Sequence, residues 1–371
     1  MKNSKPILSI DMRMIESSGI GTYLKNIVPA LIQHRPHWEF RLFGDTSILG
    51  HYFSNNNITL VDFNIPIYSI REQIQPLLQW FKKTNLFWCP HFNIPIFSSS
   101  KLLVTIHDVF HLANPELVHG IHKQLYAKYI FSIIKKKADG IICVSEFTKS
   151  EFLKYLPHPS IDPMVIHNGL DPSWFELKRT STTQPYILYV GPIKPHKNLL
   201  RLLKAFETIQ SLIPHQLLLV GKYEGLITYD NDVLQEVQKS KGRIQLIGSI
   251  ANTDTFRNFY AQADVLALPS LYEGFGFPGL EAMACQCPVL ASDIKVFHEI
   301  YQDAVLYCDP YSIPNIASQL LKIIRDHPLR ETLIAAGSHQ AKRYSWNTCA
   351  LQTLHYIETL IESTQDSGTA S

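Results

Sequence analysis

Two glutamates, Glu273 and Glu281, bracket the run "GFGFPGL" with seven residues between them. A glycine-rich loop that opens a helix turns its backbone amides toward an anion, and the positive helix end favours that anion further. A carboxylate in the same place suits a different partner, a sugar diol, whose hydroxyls donate to it as ribose hydroxyls do in dinucleotide folds. The amides of Gly274, Phe275 and Gly276 therefore face phosphate or hydroxyl oxygens, and the two carboxylates grip sugars on either side. Pro278 suits a first helical turn, since it has no amide hydrogen to waste. This places Glu281 in that turn and Glu273 in the loop. Taken alone, acids placed at a helix start to complement its dipole account for the pattern equally well.

Other residues that could do chemistry lie apart from this loop. Gly191 opens "GPIKPHKN", which brings Lys194, His196 and Lys197 together at what reads, by itself, as a solvated helix start. Gly19 and Gly21 follow the first apolar run at the distance where a phosphate-approaching loop meets its helix, a weak signal by itself. His107 follows "LLVTI" and reads first as a packed strand-end histidine, with Asp108 placed to orient its ring. His107, His111, His119 and His122 crowd sixteen residues, but Pro115 interrupts them and no His-Glu-x-x-His is present. No carboxylate is spaced as a zinc ligand, so no metal is expected. "DND" (230–232), the only Asp-x-Asp, reads as a helix cap.

The elements that must position these residues alternate along the chain. Strands are expected at 7–11, 40–44, 86–90, 102–108 and 140–145, then at 186–191, 216–221, 243–248, 263–270 and 288–292, with helix-period segments between them. This alternation predicts parallel α/β layers, and the length of 371 residues predicts two domains. Two doubly wound, Rossmann-like units in tandem carry their ligand loops at the carboxyl ends of their strands. The five candidate loops all follow strand ends: "SSGIG", "HDVFH", "GPIKPHKN", "GKYE" and "LYEGFGF". We assign residues 1–174 to the first domain, 175–185 to a polar linker and 186–345 to the second domain. The amphipathic segment 346–362 packs back on the first domain, and 363–371 forms a frayed tail.

Composition narrows the partners. A net charge of +2 with 18% charged residues argues against nucleic-acid wrapping. Six scattered cysteines in apolar runs read as buried thiols of a reducing cytosol. The start has only a four-residue apolar run, and no later stretch approaches 18 apolar residues, so a cytoplasmic protein is expected. A dinucleotide oxidoreductase is disfavoured because neither first βα turn carries Gly-x-Gly-x-x-Gly with a later acidic residue.

Taken together, "SLYEGFGFPGLEAMACQCPVLAS", "GPIKPHKNLLRLLKAF", "VSEFTKSEF", "IHNGLD" and "SGIGTYLKNI" resemble the family 4 glycosyltransferases of the GT-B fold. The similarity runs from about Asp11 to Trp346 and is nearest to bacterial mannosyltransferase-like members of surface polysaccharide and lipopolysaccharide synthesis. The resemblance implies two Rossmann-like domains facing across a cleft, and retaining, metal-independent transfer of a sugar from a nucleoside diphosphate sugar held mainly by the second domain. It implies that Glu281 binds the nucleotide's ribose, that Glu273 contacts the transferring sugar together with the amides at Phe275 and Gly276, and that Lys197 clamps the diphosphate. It places Gly19 and Gly21 against the diphosphate and His107 near the reacting carbon.

His196 stands where the family pattern has arginine, and histidine is only half protonated near its ordinary pKa of about 6.5. Lys194 is the candidate to compensate. Retention without an evident nucleophile implies front-face attack, in which the leaving diphosphate takes the acceptor's proton and Glu273 positions rather than acts as a base. The acceptor is a glycan or a lipid-linked precursor. Guanosine diphosphate mannose is the donor by resemblance, with a uridine diphosphate sugar, or a non-catalytic sugar-nucleotide-binding protein, as the alternatives. The segment 122–137, with Lys135, Lys136 and Lys137, reads as a helix covering the first sheet, and contact with an anionic membrane surface is its second reading.

Overall fold

A computed structural model of the chain describes residues 5–67, 69, 72, 84–97, 100–118, 120–177, 179–180, 182–221 and 229–367, with side chains left out at 229–231 and 363–367. His119, residues 222–224 of "GKYE", Lys178 and Ser181 of the expected linker and the end of the tail lie outside them. The chain forms two compact units, residues 1–169 with 346–371, and residues 170–345.

In the first unit β1 (Ile7–Asp11), β2 (Glu39–Gly44), β3 (Ile58–Asp62), β4 (Leu86–Cys89), β5 (Lys101–Ile106), β6 (Gly140–Cys143) and β7 (Met164–Val165) form a parallel sheet in the order β3-β2-β1-β4-β5-β6-β7. Every residue of β4 and β6 is buried, as expected of parallel strands covered on both faces. The helices of this unit are α1 (Ser18–His34), α2 (Thr46–Leu49), α3 (Phe110–Ala113), α4 (Ile121–Lys137) and α5 (Glu146–Tyr155). Along α1, Tyr23, Leu24, Ile27, Val28, Leu31 and Ile32 form its buried stripe, the spacing of one helical face.

In the second unit β8 (Tyr186–Val190), β9 (Gln216–Val220), β10 (Ile244–Gly248), β11 (Val265–Leu268), β12 (Val289–Ser292) and β13 (Leu306–Cys308) form a parallel sheet in the order β10-β9-β8-β11-β12-β13. Its helices are α6 (Leu199–Ile209), α7 (Tyr229–Lys239), α8 (Thr253–Gln262), α9 (Phe277–Ala284), α10 (Lys295–Tyr301), α11 (Ile313–Arg325) and α12 (His327–Ala341). The last helix, α13 (Trp346–Ser367), belongs to the first unit, where the Trp346 ring meets Tyr23 edge-on and Arg35 pairs with Glu358 at 2.6 Å.

The structure departs from the sequence reading at several places. The second unit begins at Leu170, ahead of the expected linker, because Asp171 caps the turn Pro172–Phe175 and Trp174 packs edge-on against Phe256 and Tyr260. Helix α13 runs on to Ser367 through the segment read as a frayed tail. The "DND" segment lies inside the first turn of α7 rather than ahead of it, where acidic residues complement the dipole. All six cysteines are free and buried. No helix among the described residues is long and apolar enough to cross a membrane.

Candidate functional site in the second unit, with its counterpart in the first

The carboxyl edge of the second sheet is assembled by backbone contacts that only glycine allows. Gly191 leaves β8 with φ +150° and donates its amide to Val220 at 2.9 Å. A Cβ on Gly221 would stand 2.1 Å from the Gly191 carbonyl, so the loops after β8 and β9 lie side by side only because Gly221 lacks one, while Gly191 is needed for its positive φ.

Beyond Gly191 the turn Pro195–Lys197 ends at Asn198, left-handed at φ +58° and 1% exposed. Its side-chain amide donates to the carbonyls of Pro269 (2.9 Å) and Pro310 (2.7 Å), and its oxygen accepts from Arg201 at 2.7 Å. Asn198 thereby ties the loops after β8, β11 and β13 together. Sequence reasoning passed over it, although an asparagine between a lysine pair and an apolar helix is a turn signal.

Lys197 reaches Glu273, with Nζ 2.5 Å from Oε1, and Ser270 donates to the same oxygen at 2.8 Å. Burial by itself pushes the Glu273 carboxyl up, but the Lys197 ammonium, together with His196 and the Ser270 hydroxyl, outweighs it and holds the group below the ordinary glutamate value. Glu273 is therefore anionic and Lys197 is held as an ion pair. His196 sits beside them, its carbonyl accepting from the Leu271 amide at 2.7 Å. Burial lowers its pKa to about 4, so the ring is neutral near pH 7 and supplies no standing charge. Lys194 is exposed at the start of the turn.

Glu281 has the opposite environment. Helix α9 opens at Phe277, which makes Glu281 its fifth residue, one past the expected first turn. Its Oε2 accepts from the Tyr260 hydroxyl at 2.6 Å, and burial raises its pKa to about 7. Two carboxyls in one short segment thus carry opposite shifts, and the cause is which one has an ammonium beside it. Phe275 is buried against Tyr344 at 5.6 Å, which fixes the loop between them, and Gly274 and Gly276 are buried with it.

In the first unit Gly19 and Gly21 lie within the first turn of α1 rather than in the loop ahead of it. A Cβ on Gly21 would stand 2.4 Å from the Ile15 carbonyl, so this glycine lets the chain from 12 to 17 fold onto the helix start. His107 Nε2 lies 2.9 Å from the Pro90 carbonyl, and burial lowers the ring's pKa to about 4. A carbonyl only accepts, so the proton is on Nε2 and Nδ1 carries the lone pair. Asp108, expected to orient this ring, instead accepts from the Phe110 amide at 2.9 Å, and the Pro90 carbonyl does the orienting. His111 packs against the Phe92 ring at 5.4 Å. Among the described residues no group of three or more His, Cys, Asp or Glu is arranged to hold a metal ion.

A buried charge cluster that the sequence did not announce lies at the end of β1. Arg13 pairs with Asp11 at 2.6 Å and Glu72 at 2.9 Å, its guanidinium lies 4.7 Å from the Phe63 ring centre, and His91 approaches Asp11 at 3.2 Å. Burial alone pushes the Asp11 carboxyl up, but Arg13 and His91 hold it well below the ordinary range. An arginine between two buried carboxylates is a fixed point of this unit, since removing it strands both charges.

Two tandem parallel-sheet units with carboxyl-edge loops of this kind define a GT-B glycosyltransferase architecture. The chain belongs to the glycosyltransferases: residues 18–174 match Glycosyltransferase Family 4 and residues 172–340 match Glycosyl transferases group 1. It is 28% identical to O-antigen chain mannosyltransferase B of Escherichia coli, over 92% of this chain and 96% of that one. It is 27% identical to O-antigen chain mannosyltransferase RfbU of Salmonella typhimurium, over 66% of each. Among solved structures, the sucrose-phosphate synthase of Thermosynechococcus elongatus superposes with a TM-score of 0.78 at 19% identity, covering 97% of this chain and all (100%) of that one. Anabaena HepE in complex with UDP and glucose gives 0.74 at 19% identity, covering 96% and 100%.

Proposed function

We propose that this glycosyltransferase moves a hexose, mannose from guanosine diphosphate mannose, onto a glycan or lipid-linked acceptor in surface polysaccharide synthesis, with retention of configuration and without a metal ion. The observation that carries the reading is the pair of carboxyls at the second unit's carboxyl edge, Glu273 held anionic by Lys197 and Glu281 held half-neutral by burial. The similarity to O-antigen chain mannosyltransferases supports mannose and the polysaccharide acceptor.

In this reading Glu281 accepts the ribose hydroxyls and Glu273 a hydroxyl of the sugar. Lys197 turns from Glu273 toward the diphosphate as it gains charge. A cation placed where charge develops is the largest single term such a site offers. The amides of Gly274, Phe275 and Gly276 lie along the sugar, Gly191 gives the diphosphate room, and His196 contributes a hydrogen bond rather than a charge. His107 Nδ1 accepts from a sugar hydroxyl, and Gly19 and Gly21 let α1 approach the diphosphate. The leaving diphosphate takes the acceptor's proton in a front-face displacement, so no protein base is required.

Titration calorimetry with guanosine, uridine and adenosine diphosphates, without metal, tests the reading. Selective binding of the guanosine nucleotide is expected. Preference for the uridine nucleotide moves the donor to a uridine diphosphate sugar, and binding without turnover of the matched sugar nucleotide leaves a non-catalytic sugar-nucleotide-binding protein.

The acceptor side carries a lipid-facing surface in the same reading. On α4, Ile121, Leu125 and Tyr129 recur every fourth residue on the exposed side, 72%, 62% and 59% exposed, while Ala127, Ile130, Phe131 and Ile134 face the core. Lys128 and Lys136 share the exposed side, so an apolar ridge flanked by cations fits an anionic lipid surface. Sedimentation with phosphatidylglycerol vesicles at low salt is expected to carry the protein down and to fail for Leu125→Glu. A protein that stays in solution at low salt removes the membrane contact.

A further inference from the structure

Helix α9, which carries Glu281, begins at a residue that cannot cap it. Its N-cap is Gly276, at φ +101°, and no side chain from the cap position accepts from the first turn. A helix start leaves amides in need of acceptors, and Pro278 removes one of them by having no N–H. The missing acceptor comes from elsewhere in the unit. Tyr301, the last residue of α10, places its hydroxyl at the helix start, where it donates to the Gly276 carbonyl at 2.5 Å and accepts from the Gly279 amide.

The ring reaches this position only because two side chains are missing. A Cβ on Gly276 would stand 2.3 Å from the Tyr301 oxygen, and one on Gly279 would stand 2.3 Å from the ring carbon that bears it. Phe297 stacks on the ring at 4.8 Å and fixes its plane, and Tyr301 is fully buried at 0% exposure. Gly279, which has no role in the sequence reading, is thus the residue that admits Tyr301.

We propose that Tyr301 is a positioning residue of the glycosyl transfer, capping α9 from a neighbouring helix and thereby fixing the turn at Phe275 and Gly276 that lies between Glu273 and Glu281. It deepens the reading above and rests on it, since the turn matters for transfer only if the sugar of the donor lies along it. A cap built into the glycine's own side chain is impossible, and a cap that accepts at the third helical residue while donating to the N-cap carbonyl holds both ends of the turn at once. The hydroxyl also consumes the Gly279 amide, which leaves that donor unavailable to the ligand.

Three measurements on Tyr301→Phe test this, because phenylalanine keeps the ring and loses only the hydroxyl. Turnover of the sugar nucleotide is expected to fall about tenfold, the scale of one net hydrogen bond, while affinity for the free nucleoside diphosphate stays within about twofold. Hydrogen exchange at the Gly279 amide is expected to quicken about tenfold, a readout that needs no ligand. Gly279→Ala is expected to lower the unfolding midpoint in the parent chain and far less in a Tyr301→Leu background, since the clash needs the ring. Unchanged turnover in Tyr301→Phe overturns the proposal, as does a loss of turnover and nucleotide affinity in step with the unfolding midpoint, which marks a merely structural residue. A parent chain that binds no nucleotide removes the functional reading, whereas unchanged Gly279 exchange in Tyr301→Phe removes the cap itself.

Discussion

Replacing Lys197 with alanine is expected to lower turnover of the sugar nucleotide by about 10²–10³-fold, the loss typical of removing one preorganised group that stabilises developing charge. Two effects combine. The diphosphate loses its cation, and Glu273, whose Oε1 now sits 2.5 Å from that ammonium, keeps only the Ser270 hydrogen bond. Burial then dominates the carboxyl and raises its pKa, so part of the Glu273 population becomes neutral. A second substitution separates the two. Lys197→Ala with Glu273→Gln removes the stranded charge and is expected to recover the unfolding midpoint without recovering turnover. Steady-state kinetics beside thermal melts read this directly, and full turnover in Lys197→Ala would sink the proposed clamp.

Glu281→Ala is expected to weaken nucleoside diphosphate binding by about 100-fold, since hydrogen bonds to a charged group contribute about 1.5–3 kcal/mol each and a ribose offers two hydroxyls. The same residue sets a pH dependence whose sign follows from its raised pKa of about 7. Both ribose hydroxyls donate best to the ionised carboxylate, so nucleotide affinity rises with pH, steeply below about 7 and flat above it. Folding stability runs the other way. A carboxyl with a raised folded-state pKa stabilises the fold most below its ordinary value of 4.5, and that contribution is lost as pH rises through about 7. His196 and His107, both lowered to about 4, are already neutral across this window and do not add a limb to it. Calorimetric titrations from pH 5.5 to about 8.5 check the trend, and an affinity flat through pH 7 would show that Glu281 does not meet the ribose.

Most strands read from the sequence are buried on both faces, although the edge strand β10, in which only Ile244 is buried, was read as well. "LFWC", "GIIC" and "YILYV" are apolar at every position because helices cover both faces of the sheet, and a short continuous apolar run bounded by turns is the pattern of such a strand. The strands that went unread are edge or short ones. In β3 only Val61 is buried, β7 has two residues and β13 three, and segments so short or so weakly covered carry no pattern to find. The start of α9 was legible to within one turn through Pro278, but the boundary fell early enough to move Glu281 past the first turn.

By itself the sequence determined the two-unit parallel architecture, the placement of Glu273, Lys197, Gly191 and His107 in segments that follow strand ends, and the resemblance that the family matches uphold. The architecture follows from local composition and periodicity and the resemblance from short motifs, all of which a chain displays before it folds. Tertiary structure alone decided who meets whom: Lys197 with Glu273, Glu281 with Tyr260, Asn198 with the Pro269 and Pro310 carbonyls, Arg13 with Asp11 and Glu72, and Tyr301 with Gly276 and Gly279. Most of these partners stand between 21 and 112 positions apart in the chain, and their distances and protonation states depend on how loops close and how deeply each group is buried. Neither quantity is written in the local order of residues, because burial is a property of the packed neighbours that folding brings together.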